Sequence, residues 1–418
     1  MLCSWWRRRN MNVAIVVQND YPHVGEVRSR KLAISLREAG HHVFFVSWNC
    51  RQRAEVEDLE YARVYRFGYF LTSRFYYWLG LPFPLNPFWV FWILRVAKKE
   101  RPDIIIASNI RIALPAILAA RLLRRPIVLD LQENNEELVR LRPKTCLAHT
   151  ITRSGLLVGM LERLCARLSD HVWVVIDERL ERLPARLRKN GKVSVVRHTA
   201  GLQELQRGGQ RPRKENEEFT LMYLGIFHEG VGPMELILRS LPYVLERDKR
   251  VRLLIGGVGP GHPQLEALVE TLGLQGRVVL AGVIDPGDVP AWLQQGDAGL
   301  ICYDVNALTN STVSNKLFHY MAAGLPVLST AMAPTMRIIE EVRCGAIIPA
   351  GSSHRDVAEI ILRLKNIPEE RAAMAERGKQ AIREKYNWDV DFREVLRCLE
   401  KVLAKNGNGF GHQILGRP

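Results

Sequence analysis

Residues Ser311 to Thr330 read STVSNKLFHYMAAGLPVLST. Apolar spacing predicts a short helix here, stopped by Gly324, Leu325 and Pro326, with a strand starting at Val327. Asn315, Lys316 and Leu317 fall in its first turn, and His319 lies one turn beyond Lys316 on the same face. The first amides of a helix lack intrahelical partners and its dipole is positive there, so this end attracts anions. Residues 315–317 would offer free amides to a diphosphate, and Lys316 would add a point charge. A solvated Lys316 and a merely packed His319 are the competing readings. In LLIGGVGPG, Gly256, Gly257 and Gly259 let a backbone turn tightly against a ligand, although a plain strand-to-helix turn uses the same residues. Glu133, Glu136 and Glu137 follow Asp130 closely. They would orient an acceptor or simply favour a helix start.

These groups need a scaffold, and the hydrophobic pattern supplies one. NVAIVV (12–17), HHVFFVSW (41–48), DIIIAS (103–108), IVLDL (127–131) and HVWVVI (171–176) read as strands separated by amphipathic helices. This alternation predicts a parallel sheet. Residues 203–218 are polar and Gly-bearing, as in a linker. The alternation restarts with FTLMYLG and continues to GAIIPA. The expectation is α/β: two Rossmann-like doubly wound domains, 11–202 and 219–385, facing across a cleft. A helix over 386–404 would cross back to the first domain, and 405–418 would be a loose tail. Ligands of such sheets sit at the carboxyl ends of the strands, beyond Val17, Leu131, Gly225, Gly257, Tyr303 and Ser329.

Composition excludes other classes. The chain has 418 residues, 47% apolar, with a net charge of +15. No apolar run is long enough to span a membrane, and the N-terminal apolar stretch is too short for a secretory signal. Seven scattered cysteines without a C-x-x-C fit reduced thiols in a cytoplasmic protein. Basic residues are dispersed, without zinc-finger or RNP spacing, which argues against nucleic acid and leaves phosphate groups or an anionic membrane as partners. Neither domain carries G-x-G-x-x-G after its first strand, which argues against nicotinamide or flavin. No metal site is expected: Asp389 and Asp391 form a D-x-D, but at the start of a helix, and His41 and His42 lack further ligands. The aromatic, basic stretch 69–99 would either rest on an anionic membrane or pack as a connector helix.

SNKLFHYMAAGLPVLST resembles the donor-site segment of GT-B glycosyltransferases of the large retaining family 4. Tyr320, Met321, Ala322, Gly324, Pro326 and Val327 carry the match. NDYPHVGEVRSRKLAISLREAGHHVFFVS, which includes Gly25 and Arg28, is similar to the family's N-domain opening. FTLMYLG, LLIGGVGPG and RVVLAGVIDPGDVPAWLQQGDAGLICY are similar to its nucleotide domain. The resemblance covers nearly all of 12–404.

It implies transfer of a sugar from a UDP- or GDP-linked donor to a hydroxyl of a glycan or lipid-linked acceptor, in polysaccharide or glycoconjugate synthesis. It also implies retention of configuration, no cofactor and no metal. The expected location is cytoplasmic, with the inner membrane face as a peripheral site. The implied donor site is Gly225, Gly257, Gly259, Gly282, Asn315, Lys316, Leu317 and His319. Gln132 stands near the donor sugar, and Gly25, Arg28 and Glu133 lie on the acceptor side. Four positions depart from the family. Ile226 and Val231 replace an Arg and a Lys that grip the diphosphate, Gln132 replaces a His, and His319 replaces the ribose-binding Glu, whose upstream partner is here Ser311. Lys316, His228, Arg28 and Arg30 are candidate substitutes for the lost cations. A weakened relative serving as a nucleotide- or partner-binding subunit is the alternative. A sugar-nucleotide epimerase would need acid–base groups for which few candidates appear.

Overall fold

The computed structural model describes residues 10–22, 26–49, 51, 53–67, 86–141, 154–201, 218–226, 231–285 and 287–407. Two compact units divide the chain. One takes the chain up to Val196 and again from Phe392, and the other is Arg197–Asp391.

The strands of the first unit are β1 (Asn12–Val17), β2 (His42–Trp48), β3 (Val56–Leu59), β4 (Ala62–Phe67), β5 (Ile104–Ser108), β6 (Ile127–Leu131), β7 (His171–Val174) and β8 (Val193–Val195). They form one eight-stranded sheet in the order β3-β4-β2-β1-β5-β6-β7-β8. Every pairing is parallel except β3 with β4, a hairpin at the edge. Central strands such as β5, IIIAS, are buried throughout because helices cover both faces. Helix α1 (Val27–Glu38) follows β1. The crossovers α2 (Pro87–Glu100), α3 (Ile110–Leu123) and α5 (Gly155–Leu168) lead into β5, β6 and β7, with the short α4 (Asn135–Leu141) preceding α5 and the short α6 (Ala185–Lys189) preceding β8. Within the aromatic stretch 69–99, residues 69–85 lie outside the described residues. The remainder is α2, whose Trp89 and Trp92 are buried in the core with Ile93 and Val96 rather than turned outward. Apolar spacing within α2 favours that packing.

The second unit holds β9 (Phe219–Leu224), β10 (Val251–Gly256), β11 (Val278–Gly282), β12 (Ala298–Ile301), β13 (Val327–Thr330) and β14 (Gly345–Ile348). They form a six-stranded parallel sheet in the order β11-β10-β9-β12-β13-β14. Strand order reverses between β9 and β12, so the carboxyl ends of these two strands mark the ligand crevice of a doubly wound sheet. One face is covered by α7 (Met234–Arg247), α8 (His262–Thr271) and α12 (His354–Lys365). The other face carries α9 (Val289–Leu293) and α10 (Asn315–Ala323), together with α11 (Ala333–Val342) and α13 (Pro368–Glu384). The last helix, α14 (Trp388–Gly407), begins in this unit and ends in the first one. Asp391, half of the D-x-D pair, is buried and accepts hydrogen bonds from Thr199 (2.8 Å) and Arg197 (3.4 Å), so it serves structure.

His171 opens β7, is buried, and hydrogen-bonds Ser194 on β8 at 3.0 Å. Burial, reinforced by the positive charge of Lys401, pulls its imidazole down to about 4. An unfolded chain titrates this group near ~6.5, so between the two values only the unfolded state binds the proton. Stability therefore falls on acidification through this window, with about 2 kcal/mol lost by pH 5. Thermal melts from pH 7.5 to 4.5 should show a steeper fall in Tm for the native chain than for His171→Gln. Parallel curves would mean that His171 does not carry the effect.

Candidate functional site

Helix α10 is held by its own aromatic residue. Tyr320 is fully buried, and its hydroxyl accepts the Leu224 amide at 3.1 Å and donates to the Leu300 carbonyl at 3.1 Å. That one side chain ties the helix to the ends of β9 and β12. It needs Gly299 beneath it, because a Cβ there would lie 2.3 Å from the Tyr320 ring. Leu317 and Phe318 complete the anchor in the core. The Leu317 amide closes the first turn on the Ser314 carbonyl at 3.0 Å. Leu317 is therefore a packing residue and not a free-amide donor, contrary to the expectation for 315–317. The solvent side of the turn belongs to the exposed Asn315 and the half-buried Lys316.

The Lys316 ammonium donates to the Tyr303 hydroxyl at 2.5 Å. It lies 4.8 Å from the centroid of the Tyr303 ring and 5.3 Å from that of Tyr223. Gly225 forms the floor of this slot: a Cβ there would sit 2.8 Å from Lys316 Cε and Nζ. Among the described residues no carboxylate pairs with Lys316. Its buried neighbours are held neutral. Burial raises the Tyr223 phenol far above its usual range and pushes the Cys302 thiol up to about 12. The cation thus rests on ring quadrupoles and a hydroxyl, which leaves its charge uncompensated.

Two glycine turns complete this end of the sheet. Gly257 has φ +120°, and a Cβ on it would come within 1.8 Å of the Gly225 carbonyl oxygen. The Gly225 amide donates to Gly256 O at 2.9 Å, and the Gly257 amide donates to Gly282 O at 2.6 Å. The turns after β9, β10 and β11 are therefore locked side by side, with Gly282 at φ +71°. Gly259 adopts no positive φ and accepts the His262 amide at the start of α8. His319 is half-buried one turn beyond Lys316. Ser311 is buried, and its hydroxyl donates to Leu308 O at 2.7 Å. Ile226 is exposed and Val231 packs partly against the core, so neither places a cation here. His228 lies outside the described residues. A cavity of about 540 Å³ adjoins Tyr303 and is bordered by Glu235, Arg239, Asp304, Thr330 and His354.

A second polar cluster occupies the carboxyl ends of β1, β5 and β6 in the first unit. Arg28 is 3% exposed and forks onto Asp130, with Nε and Nη2 each 2.9 Å from a carboxylate oxygen. This corrects the expectation that Arg28 substitutes for a lost diphosphate cation, since its charge is neutralised inside the unit. Arg30 stacks over Tyr61 instead. Gln132 donates to the Ser108 hydroxyl at 2.7 Å and to Asp130 at 3.1 Å, leaving its Oε1 without a partner among the described residues. Ser29 bridges Ser108 (3.1 Å) and Glu26 (2.9 Å), and Asn19 donates to Glu26 at 2.8 Å. Asn109 next to Ser108 holds a positive φ of 80°, uncommon outside glycine. Glu133 is exposed, while Glu136 and Glu137 pair with Arg140. Gly25 lies outside the described residues. Among the described residues no group of three or more His, Cys, Asp or Glu could hold a metal ion.

Two doubly wound α/β units, each built on a largely parallel sheet, have the architecture of the GT-B fold class. The family models agree: "Glycosyl transferase 4-like domain" matches residues 25–198 and "Glycosyl transferases group 1" matches 218–366. The chain belongs to this glycosyltransferase family. A phosphatidyl-myo-inositol mannosyltransferase of Mycobacterium leprae is 28% identical over 44% of this chain and 47% of its own length. An alpha-monoglucosyldiacylglycerol synthase of Streptococcus pneumoniae is 22% identical over 81% of this chain and 75% of its own. The chain spans about half the length of most curated relatives it matches. Among solved structures, sucrose-phosphate synthase from Thermosynechococcus elongatus superposes with a TM-score of 0.68 at 17% identity, over 95% of this chain and 100% of that one. Anabaena HepE in complex with UDP gives 0.64 at 14% identity, over 94% and 100%.

The glycine turns make a contrast that stability can read. Gly257→Ala forces both a backbone clash and a disfavoured φ, and should cost about 2–4 kcal/mol. Gly282→Ala meets open space and should cost only about 1 kcal/mol for its φ. Urea unfolding of both variants checks this, and equal midpoints would contradict the packing of the two turns.

Proposed function

We propose that the chain moves a sugar from a UDP- or GDP-linked donor to a hydroxyl of a glycan or lipid-linked acceptor, with retention at the anomeric carbon and no cofactor, in glycoconjugate or polysaccharide synthesis. The observation that carries this reading is Lys316, a half-buried ammonium at a helix N-terminus with no anionic partner among the described residues. In the transfer, the bond between the anomeric carbon and the diphosphate oxygen breaks, the acceptor oxygen bonds to that carbon, and the acceptor's hydroxyl proton passes to the leaving diphosphate oxygen. Negative charge grows on the leaving diphosphate. A fixed cation, the Tyr303 hydroxyl and the amides of Asn315 and Lys316 oppose that charge without reorganising. His319 would supply one hydrogen bond to the ribose where the family uses a carboxylate. We assign the polar cluster of the first unit, with the open Gln132 Oε1 and the exposed Glu133, to sugar and acceptor hydroxyls.

Relatives named for lipid substrates support a lipid-linked acceptor, and HepE solved with UDP supports a UDP-linked donor. We place the chain at the cytoplasmic face of a membrane, as a peripheral protein. Among the described residues no helix is long and apolar enough to cross one. A second reading, a nucleotide-binding subunit with weakened catalysis, is favoured by one observation: the position of the family's first diphosphate Arg is Ile226, 69% exposed.

Release of nucleoside diphosphate from a panel of UDP- and GDP-sugars tests the proposal. Turnover is expected with at least one donor, and Lys316→Ala should lower kcat/KM by about 10²–10³. Nucleotide binding without turnover on any donor would favour the subunit reading instead.

A further inference from the structure

We infer that the outer face of α2, α3 and α5 is a docking surface for an anionic lipid bilayer. This identifies the surface behind the membrane placement above, on which it rests, and it is independent of the transfer chemistry.

The strongest observation is α5. Its exposed residues are Leu156, Leu157, Met160, Leu164, Arg167 and Leu168, so the side turned to water is five apolar residues and one Arg. Those five are 38–68% exposed. At 100° per residue they share one arc, opposite the buried Glu162, Cys165 and Ala166. Isolated exposed leucines need no explanation, but a continuous apolar stripe on the solvent side of a helix does.

The neighbouring helices extend the pattern. All three cross over within one parallel sheet and cover the same face, so they run in the same direction. On α2, Phe88 and Phe91 are 53% and 64% exposed near the N-terminus, and Arg95, Lys98 and Lys99 are exposed further on. On α3, Leu122 is 68% exposed between Arg121, Arg124 and Arg125. On α2, exposed apolar residues give way to basic ones toward the C-terminus; α3 is exposed only at its basic C-terminal end; α5 keeps its apolar stripe along its whole length, with Arg167 near the end. Arginine and lysine can lay their stems along acyl chains while their heads reach phosphate.

Charge selects the occupant. Helices α2, α3 and α5 contain only two acidic residues, Glu100 and Glu162. Glu162 is buried and paired with Arg179 at 3.1 Å. Glu100 accepts the Tyr65 hydroxyl and faces Arg63 at 3.6 Å. At the edge, Asp170 accepts the Ile127 amide and lies 4.0 Å from Arg121. A second copy of this chain would bring the same basic residues into contact with one another. Anionic headgroups above an apolar layer complement the basic and the apolar residues at once.

Co-sedimentation of the full chain with vesicles of phosphatidylcholine, or of phosphatidylcholine mixed with phosphatidylglycerol, tests this. Binding is expected to the mixed vesicles, weaker with rising salt, and at least about tenfold weaker to phosphatidylcholine alone. Leu157→Gln/Met160→Gln/Leu164→Gln and Arg124→Gln/Arg125→Gln/Arg167→Gln should each lose about tenfold or more. All six positions lie in the outer layer and leave the core intact, and an unchanged circular dichroism melt would confirm folding. Native binding with no loss in either triple variant would overturn this face while sparing the membrane placement. No binding of the native chain to either vesicle would overturn both. Concentration-dependent dimerisation abolished by the apolar triple variant would assign the face to a second copy instead.

Discussion

The second unit is organised around a charge that no carboxylate among the described residues neutralises. Lys316 is held by the hydroxyl of Tyr303, the rings of Tyr223 and Tyr303 and the bare backbone of Gly225. Ring faces and a hydroxyl hold the ammonium without cancelling its charge, which stays available to an incoming anion. Much nearby geometry serves to keep it there. Tyr320 fixes the helix that carries it, and the contact of Gly257 with Gly225 fixes the floor beneath it. The helix dipole adds to the same positive field.

The first unit solves the opposite problem. Its sheet end is crowded with charge, but Arg28 forks onto Asp130, and the Glu26 carboxylate accepts hydrogen bonds from Ser29 and Asn19. What remains is neutral hydrogen-bonding capacity around Ser108, Asn109 and Gln132, suited to hydroxyl groups. Two copies of one architecture thus present different chemistry because a few side chains at their strand ends differ.

Much of the fold was legible as sequence. Long apolar runs alternating with amphipathic stretches gave both parallel sheets, since strands covered on two faces must be apolar throughout. The β3–β4 hairpin was not legible: an edge pair such as VEDL is half-exposed and lacks that signature. Helix α13 escaped for a similar reason, because its buried contacts reduce to Gly378 and Ile382. At the site, Lys316 was visible from its place at a helix start. Its tyrosine partners were not, because they come from elsewhere in the chain, Tyr223 from β9 and Tyr303 from the loop after β12. The Arg28–Asp130 fork joins residues 102 positions apart, so a local reading left the guanidinium available when the fold neutralises it. The leucines of α5 look like ordinary core spacing, and only the fold shows that many face outward.

Calorimetric titration of UDP and GDP against uridine and guanosine, on the native chain and on Lys316→Ala, is the most direct test of the central claim. If Lys316 receives a diphosphate, the native chain binds at least one of the diphosphates far more tightly than its nucleoside, and the variant loses most of that difference while keeping its nucleoside affinity. Equal affinity for nucleoside and diphosphate, or a difference that survives in the variant, would contradict it.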